Sequence, residues 1–105
     1  MIAAQIAALR SADVAGAFSY ASPGIRALFR TPERFGAMVD KGFAVLRQPG
    51  DVIWLGQRAE GGQPVQRVML RSTGAVRILD YRMIEGPDGW RIDGVSPVAS
   101  GANGA

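Results

Sequence analysis

Ile2, Ile6 and Leu9 recur at spacings of four and three among alanines, the stripe of an amphipathic helix with strong intrinsic propensity. A first helix is therefore predicted at the start of the chain. Ser11 has the side chain to cap a second short helix that buries Val14, Ala17 and Phe18. Ser22-Pro23 reads as an N-cap followed by proline at the first helical position, with Ile25, Leu28 and Phe29 on the buried side. Thr31-Pro32-Glu33 repeats that start signal. The helix it opens buries Phe35, Met38 and Val39 and is expected to stop at Gly42, where a left-handed residue closes the last turn.

After Gln48-Pro49-Gly50-Asp51 the apolar period changes from helical to alternating, and glycine-rich punctuation arrives about every ten residues. Strands are predicted over 52–59, 64–72, 75–85 and 90–95. Gly61-Gly62 and Thr73-Gly74 suit tight two-residue hairpins, and Gly86-Pro87-Asp88-Gly89 fits a four-residue loop on a type I turn, with Gly89 left-handed. The fold class is α+β: three or four N-terminal helices packed on a curved antiparallel sheet of about four strands. Residues 1–98 form a single domain, and the small, polar tail over 99–105 is expected to fray.

Those turns fix a register, and alternation sorts side chains onto two faces. Ile53, Leu55, Val68, Leu70, Leu79, Tyr81, Met83, Trp90 and Ile92 fall on one face, which should meet the helices. The other face mixes Trp54, Met69, Val76, Ile78 and Ile84 with charged residues, and sets Arg67 opposite Asp80 and Arg82 opposite Asp93. A loop one residue shorter would pair Glu85 with Arg91 and move Trp90 to the mixed face; the first register separates apolar from charged residues more cleanly. Trp54, Met69, Ile78 and Ile84 together make an apolar patch of the kind that marks an interface, so a homodimer through the sheet is expected.

Composition narrows the chemistry. With 105 residues, 48% hydrophobic and 20% charged, the chain holds one core. It has neither cysteine nor histidine, so disulfides, thiolate nucleophiles, Ser-His-Asp triads and the usual zinc, copper or haem sites have no residues to build from. The nine acids are scattered singly, so no metal and no cofactor is expected. The net charge of +3 comes mostly from arginines spaced along the chain rather than gathered in a stripe, so no nucleic-acid partner is expected from this pattern. No apolar run reaches membrane-spanning length, and residues 1–9 lack the basic start and cleavage site of a secretory signal, so the chain as given reads as soluble and cytoplasmic, or as exported if a leader was removed.

Several words of the sequence are similar to a known family. They are AAQIAALRSADVAGAF over 3–18, Ala21-Ser22-Pro23-Gly24-Ile25, Phe29, Thr31-Pro32-Glu33-Arg34-Phe35, Met38-Val39, Gly42-Phe43, Gln66-Arg67-Val68, and Asp80-Tyr81 leading to Asp88-Gly89-Trp90-Arg91-Ile92. In combination they resemble the bacterial family of domain of unknown function 4864, over residues 3 to about 96. The resemblance implies a nuclear transport factor 2-like cone, a superfamily that also houses ketosteroid isomerase and polyketide cyclases, and it implies no activity. Members often carry a cysteine where this chain has Val95, and often begin with an export signal.

Three readings of function follow. A cone of this kind can hold an apolar or acidic small molecule, with Tyr20, Arg77, Tyr81 and Trp90 as pocket-lining groups near its mouth. It can act as a ketosteroid-isomerase-like or cyclase-like enzyme, with Asp40 as the candidate base and Tyr20 or Tyr81 as the candidate oxyanion donor. Or the cone is filled at native packing density and the domain is a structural dimerisation module.

Overall fold

A computed structural model describes residues 1–47, 50–72, 75–87 and 89–98. Four helices come first: α1 (Ile2–Arg10), α2 (Val14–Ser19), α3 (Pro23–Phe29) and α4 (Pro32–Gly42), followed by a short 3-10 turn over Ala44–Arg47. Four strands follow: β1 (Asp51–Glu60), β2 (Gln63–Ser72), β3 (Ala75–Gly86) and β4 (Gly89–Pro97). They form one antiparallel meander in the order β1-β2-β3-β4. The α+β architecture is the one the change of apolar period predicts. The expected Thr73-Gly74 turn, Asp88 of the last loop and the tail over 99–105 lie outside the described residues.

Caps explain where the helices begin and end. Ser22 and Thr31 accept hydrogen bonds from the backbone N–H groups of Ile25 and Arg34, each at 3.2 Å, with proline at the first helical position of both helices. Ser11 is not the cap of α2. It ends α1, while Asp13 takes the N-cap role and accepts from Gly16 N–H at 3.0 Å. The reason is a Schellman closure of α1, in which Asp13 N–H donates to Ala8 O at 2.8 Å and Ala12 N–H to Leu9 O at 3.3 Å. That closure puts Ala12 at φ 63°, a conformation glycine adopts without cost. At the other end of the layer, α4 runs through Gly42 in helical conformation, and Phe43 at φ −137° is its cap, so no left-handed glycine closes this helix. Between α3 and α4, Arg30 has φ 70° and ψ −43°, and Thr31 N–H donates to Phe29 O at 2.8 Å, a tight γ-turn of the rarer hand.

The sheet keeps the expected register between β2 and β3, with Arg67 opposite Asp80, and at the last hairpin, with Glu85 opposite Trp90. Gly61 and Gly62, both at positive φ, form the two-residue turn between Glu60 and Gln63. Two bulges change the rest. Between Trp54 and Gln57 the register slips, so Val52 and Trp54 lie opposite Leu70 and Val68, whereas Ile53 lies opposite Met69 on the far face. Ile53 and Leu55 therefore do not join the core face, and Trp54 does not join the mixed one. Between Arg82 and Met83 a second slip leaves Asp93 without a partner on β3 and sets Arg82 opposite Gly94, not opposite Asp93. Each bulge has a glycine at or beside it, Gly56 and Gly94, as strand-interior glycines commonly do.

The helices roof the sheet face that carries Val68, Leu70, Leu79, Tyr81 and Ile92, and bury Ile2, Ile6, Leu9, Phe18, Phe35, Val39 and Leu46 against it. Each large side chain contributes roughly 1.5 to 3 kcal/mol by removal from water. Phe35 joins the helices through ring contacts to Phe18 at 5.4 Å and, edge-on, to Phe29 at 6.0 Å. Strain at the α1 closure is open to direct test. Ala12→Gly is expected to stabilise the protein by about 0.5 to 1 kcal/mol, the relief at positive φ outweighing the added freedom of the unfolded chain. Urea denaturation measures it, and an unchanged or lowered midpoint contradicts the strain.

Candidate functional site

Between α3, α4, the 3-10 turn and β4 lies a cavity of about 200 Å³. Its walls are apolar: Ile25, Leu28 and Phe29 from α3, Phe35, Met38 and Val39 from α4, Phe43 and Leu46 beyond it, and Ile92 and Val95 from β4. Leu28 is 69% exposed and stands at the mouth, and no residue of α3 is fully buried, so α3 is the thin wall.

What positions α3 is its first turn. The chain over Tyr20, Ala21 and Ser22 runs parallel to the outer edge of β4: Ile92 N–H donates to Tyr20 O and Ser22 N–H donates to Ile92 O, both at 2.8 Å. The buried Ser22 hydroxyl donates to Asp93 Oδ1 at 2.7 Å while capping α3, and Gln63 Nε2 donates to Asp93 Oδ2 at 2.9 Å. The bulge that frees Asp93 from the ladder is what allows it to make both contacts.

Among the described residues one polar side chain reaches the cavity wall, that of Gln5 on α1. It is 3% exposed, and its Oε1 accepts the Tyr81 hydroxyl at 3.0 Å. Tyr81 is completely buried, and burial pushes its hydroxyl well above the usual tyrosine range, so the group stays protonated and remains the donor. Gln5 is not among the residues singled out by sequence, although the pattern marks it: it is the second member of the Ile2, Gln5, Ile6, Leu9 stripe, where an amide must be buried with the rest of that face.

The residues singled out by sequence are dispersed. Tyr81 lies in the core beneath α1, and Tyr20 is half-buried in the segment that pairs with β4. Arg77 is exposed and donates to Val76 O at 3.0 Å. Trp90 is 42% exposed and lines a separate, open depression with Ile2, Trp54, Pro64 and Met83. Asp40 is on the outside of the helical layer, 2.8 Å from Arg47 Nε. None of these side chains is part of the wall of the cavity beneath α3.

The opposite face of the sheet carries the charge. Arg67 grips Asp80 with two hydrogen bonds, at 2.9 and 3.2 Å, and Arg58 adds a third at 2.7 Å. Arg58 and Arg82 both reach Glu60, at 2.7 and 3.3 Å. Val65, opposite both Arg58 and Arg82, is 1% exposed although it is outside the main core. An apolar row of Ile53, Met69 and Ile78 crosses three strands beside this network, with Val76 and Ile84 exposed nearby.

These features define a small α+β domain whose helices close over an apolar cavity on a four-stranded meander. The chain matches the family described as domain of unknown function (DUF4864) over residues 1–104, and it belongs to that family. No curated protein and no solved structure matches it. Among the described residues no three acids, cysteines or histidines gather as metal ligands, and no helix is long and apolar enough to cross a membrane.

The Asp80 network predicts a pH dependence. The Arg67 hydrogen bonds, then Arg58, hold the Asp80 carboxyl at about 2, below the ~3.9 of an unfolded chain. Its stabilisation is therefore fully present above about pH 4 and lost as pH falls through about 2; with solvent screening it amounts to roughly 1 kcal/mol. Asp80→Asn should be less stable than the parent at neutral pH, with the difference closing at about pH 2. A constant difference in chemical denaturation at the two pH values contradicts this account.

Proposed function

We propose that the domain is a non-catalytic binding module that holds a small apolar molecule between its helices and its sheet. The observation that carries this reading is the cavity itself, a partly open, mostly apolar space with one amide on its wall, a lining of the kind small-molecule sites have. The order of helices then sheet, with a hollow between them, supports the nuclear transport factor 2-like cone that the sequence resemblance implies. A ketosteroid-isomerase-like mechanism requires a carboxylate facing the substrate, and Asp40 is 59% exposed and paired with Arg47 instead, which favours binding over catalysis.

Apolar cavities of roughly this size take up benzene. Titrated into the protein, benzene should shift the methyl resonances of Ile25, Leu46, Ile92 and Val95. Val95→Trp, which fills the space, should weaken that binding at least about tenfold, or 1.4 kcal/mol. Absence of shifts in the parent, or shifts that persist in the variant, rejects the site.

A second reading concerns the outer sheet face. The row of Ile53, Met69 and Ile78, extended by Val76 at 50% exposure and Ile84 at 39%, supports a homodimer through the sheet, with Ile53 in the place sequence reasoning gave to Trp54. Light scattering is expected to give a dimer mass for the parent and a monomer mass for Ile78→Arg. A monomeric parent, or a variant that remains dimeric, excludes this interface.

A further inference from the structure

Resting on the binding reading above, we infer that the occupant of the cavity carries one uncharged carbonyl-type oxygen on an otherwise apolar body, and that Gln5 Nε2 donates to that oxygen. The Gln5 amide is 3% exposed, and its orientation is set from behind. The fully buried Tyr81 hydroxyl makes its hydrogen bond to Gln5 Oε1; turning the amide over would bring the NH2 group to the hydroxyl and leave the hydroxyl proton without an acceptor. The oxygen already accepts one hydrogen bond, and among the described residues Nε2 has no partner while keeping some accessible surface. Gln5 is the one polar side chain among the described residues lining a mostly apolar space, which places its NH2 group toward an occupant. Polar groups shielded from bulk water are normally satisfied, so a molecule that fills this space is favoured if it returns an acceptor to Nε2.

The rest of the wall decides which acceptor. No arginine or lysine side chain lines the cavity, so a carboxylate entering it loses its hydration with no cation in return. An alcohol also accepts from Nε2 but brings a proton whose one side-chain amide acceptor among the described lining residues, Gln5 Oε1, is shared with Tyr81. A ketone, aldehyde or ester oxygen accepts without donating and carries no charge. With about 200 Å³ available, the body attached to it is a single ring or a short chain.

The test compares cyclohexanone with methylenecyclohexane, which has the same shape without the acceptor, and with cyclohexanecarboxylate. Each is titrated by NMR into the full chain of the parent and of Gln5→Leu. Cyclohexanone should shift the Gln5 side-chain amide resonance downfield, and Gln5→Leu should weaken its binding by about 3- to 10-fold while leaving methylenecyclohexane unchanged or tighter. If Gln5→Leu fails to fold because it orphans the Tyr81 hydroxyl, Gln5→Leu combined with Tyr81→Phe removes both polar groups and carries the same comparison. Equal effects of the substitution on the ketone and the alkene overturn the carbonyl inference and leave the cavity reading standing. Tighter binding of the carboxylate than of cyclohexanone overturns the claim of an uncharged ligand. Failure of every probe to shift a cavity resonance overturns the cavity reading itself.

Discussion

The hydrogen bonds between Ser22 and β4 are the junction on which the two layers depend. Apolar burial holds the helices against the sheet but does not say where they sit, because it has no direction. The paired backbone of Tyr20 through Ser22 along Ile92, together with the Ser22 hydroxyl on Asp93, fixes one point of the helical layer to one residue of the last strand. From that point α3 departs over open space rather than lying flat on the sheet. The hollow beneath it is a consequence of where the helix is anchored as much as of which side chains face inward.

The second directional contact, Tyr81 to Gln5, works at the opposite side of the same hollow. It ties α1 to the middle of β3 through a buried pair, and it engages the amide oxygen of the one polar side chain that lines the cavity among the described residues. A core built from aliphatic side chains alone at these two positions would pack without any polar feature. The pair therefore costs some stability potential and supplies direction, which is the common trade of polar groups in apolar interiors.

The sequence announces the elements clearly because each rests on local rules. Ser22-Pro23 and Thr31-Pro32 fix two helix starts by capping chemistry, and Gly61-Gly62 fixes a turn by its positive φ. The faces of β1 were not legible by simple alternation. The bulge beside Gly56 slips the strand by one residue, and every side chain before it changes sides, so Trp54 exchanges places with Ile53. Asp93, expected opposite Arg82, is displaced from that pairing by the second bulge. Its contacts to Ser22 and Gln63 are 71 and 30 residues apart in the chain, and nothing local encodes them. Gln5 differs, since its place in a helical apolar stripe marks it as buried.

The strand that receives Tyr20 through Ser22 loses its outer row of free backbone groups at Ile92, so the meander has unequal borders. Its other border, β1, is interrupted at Leu55 and Gly56, where the slip spoils the even spacing a fifth strand would need. Lateral growth of the sheet into fibrils or chain-to-chain ribbons thus meets the protein's own backbone at Ile92 on one side and a kink on the other.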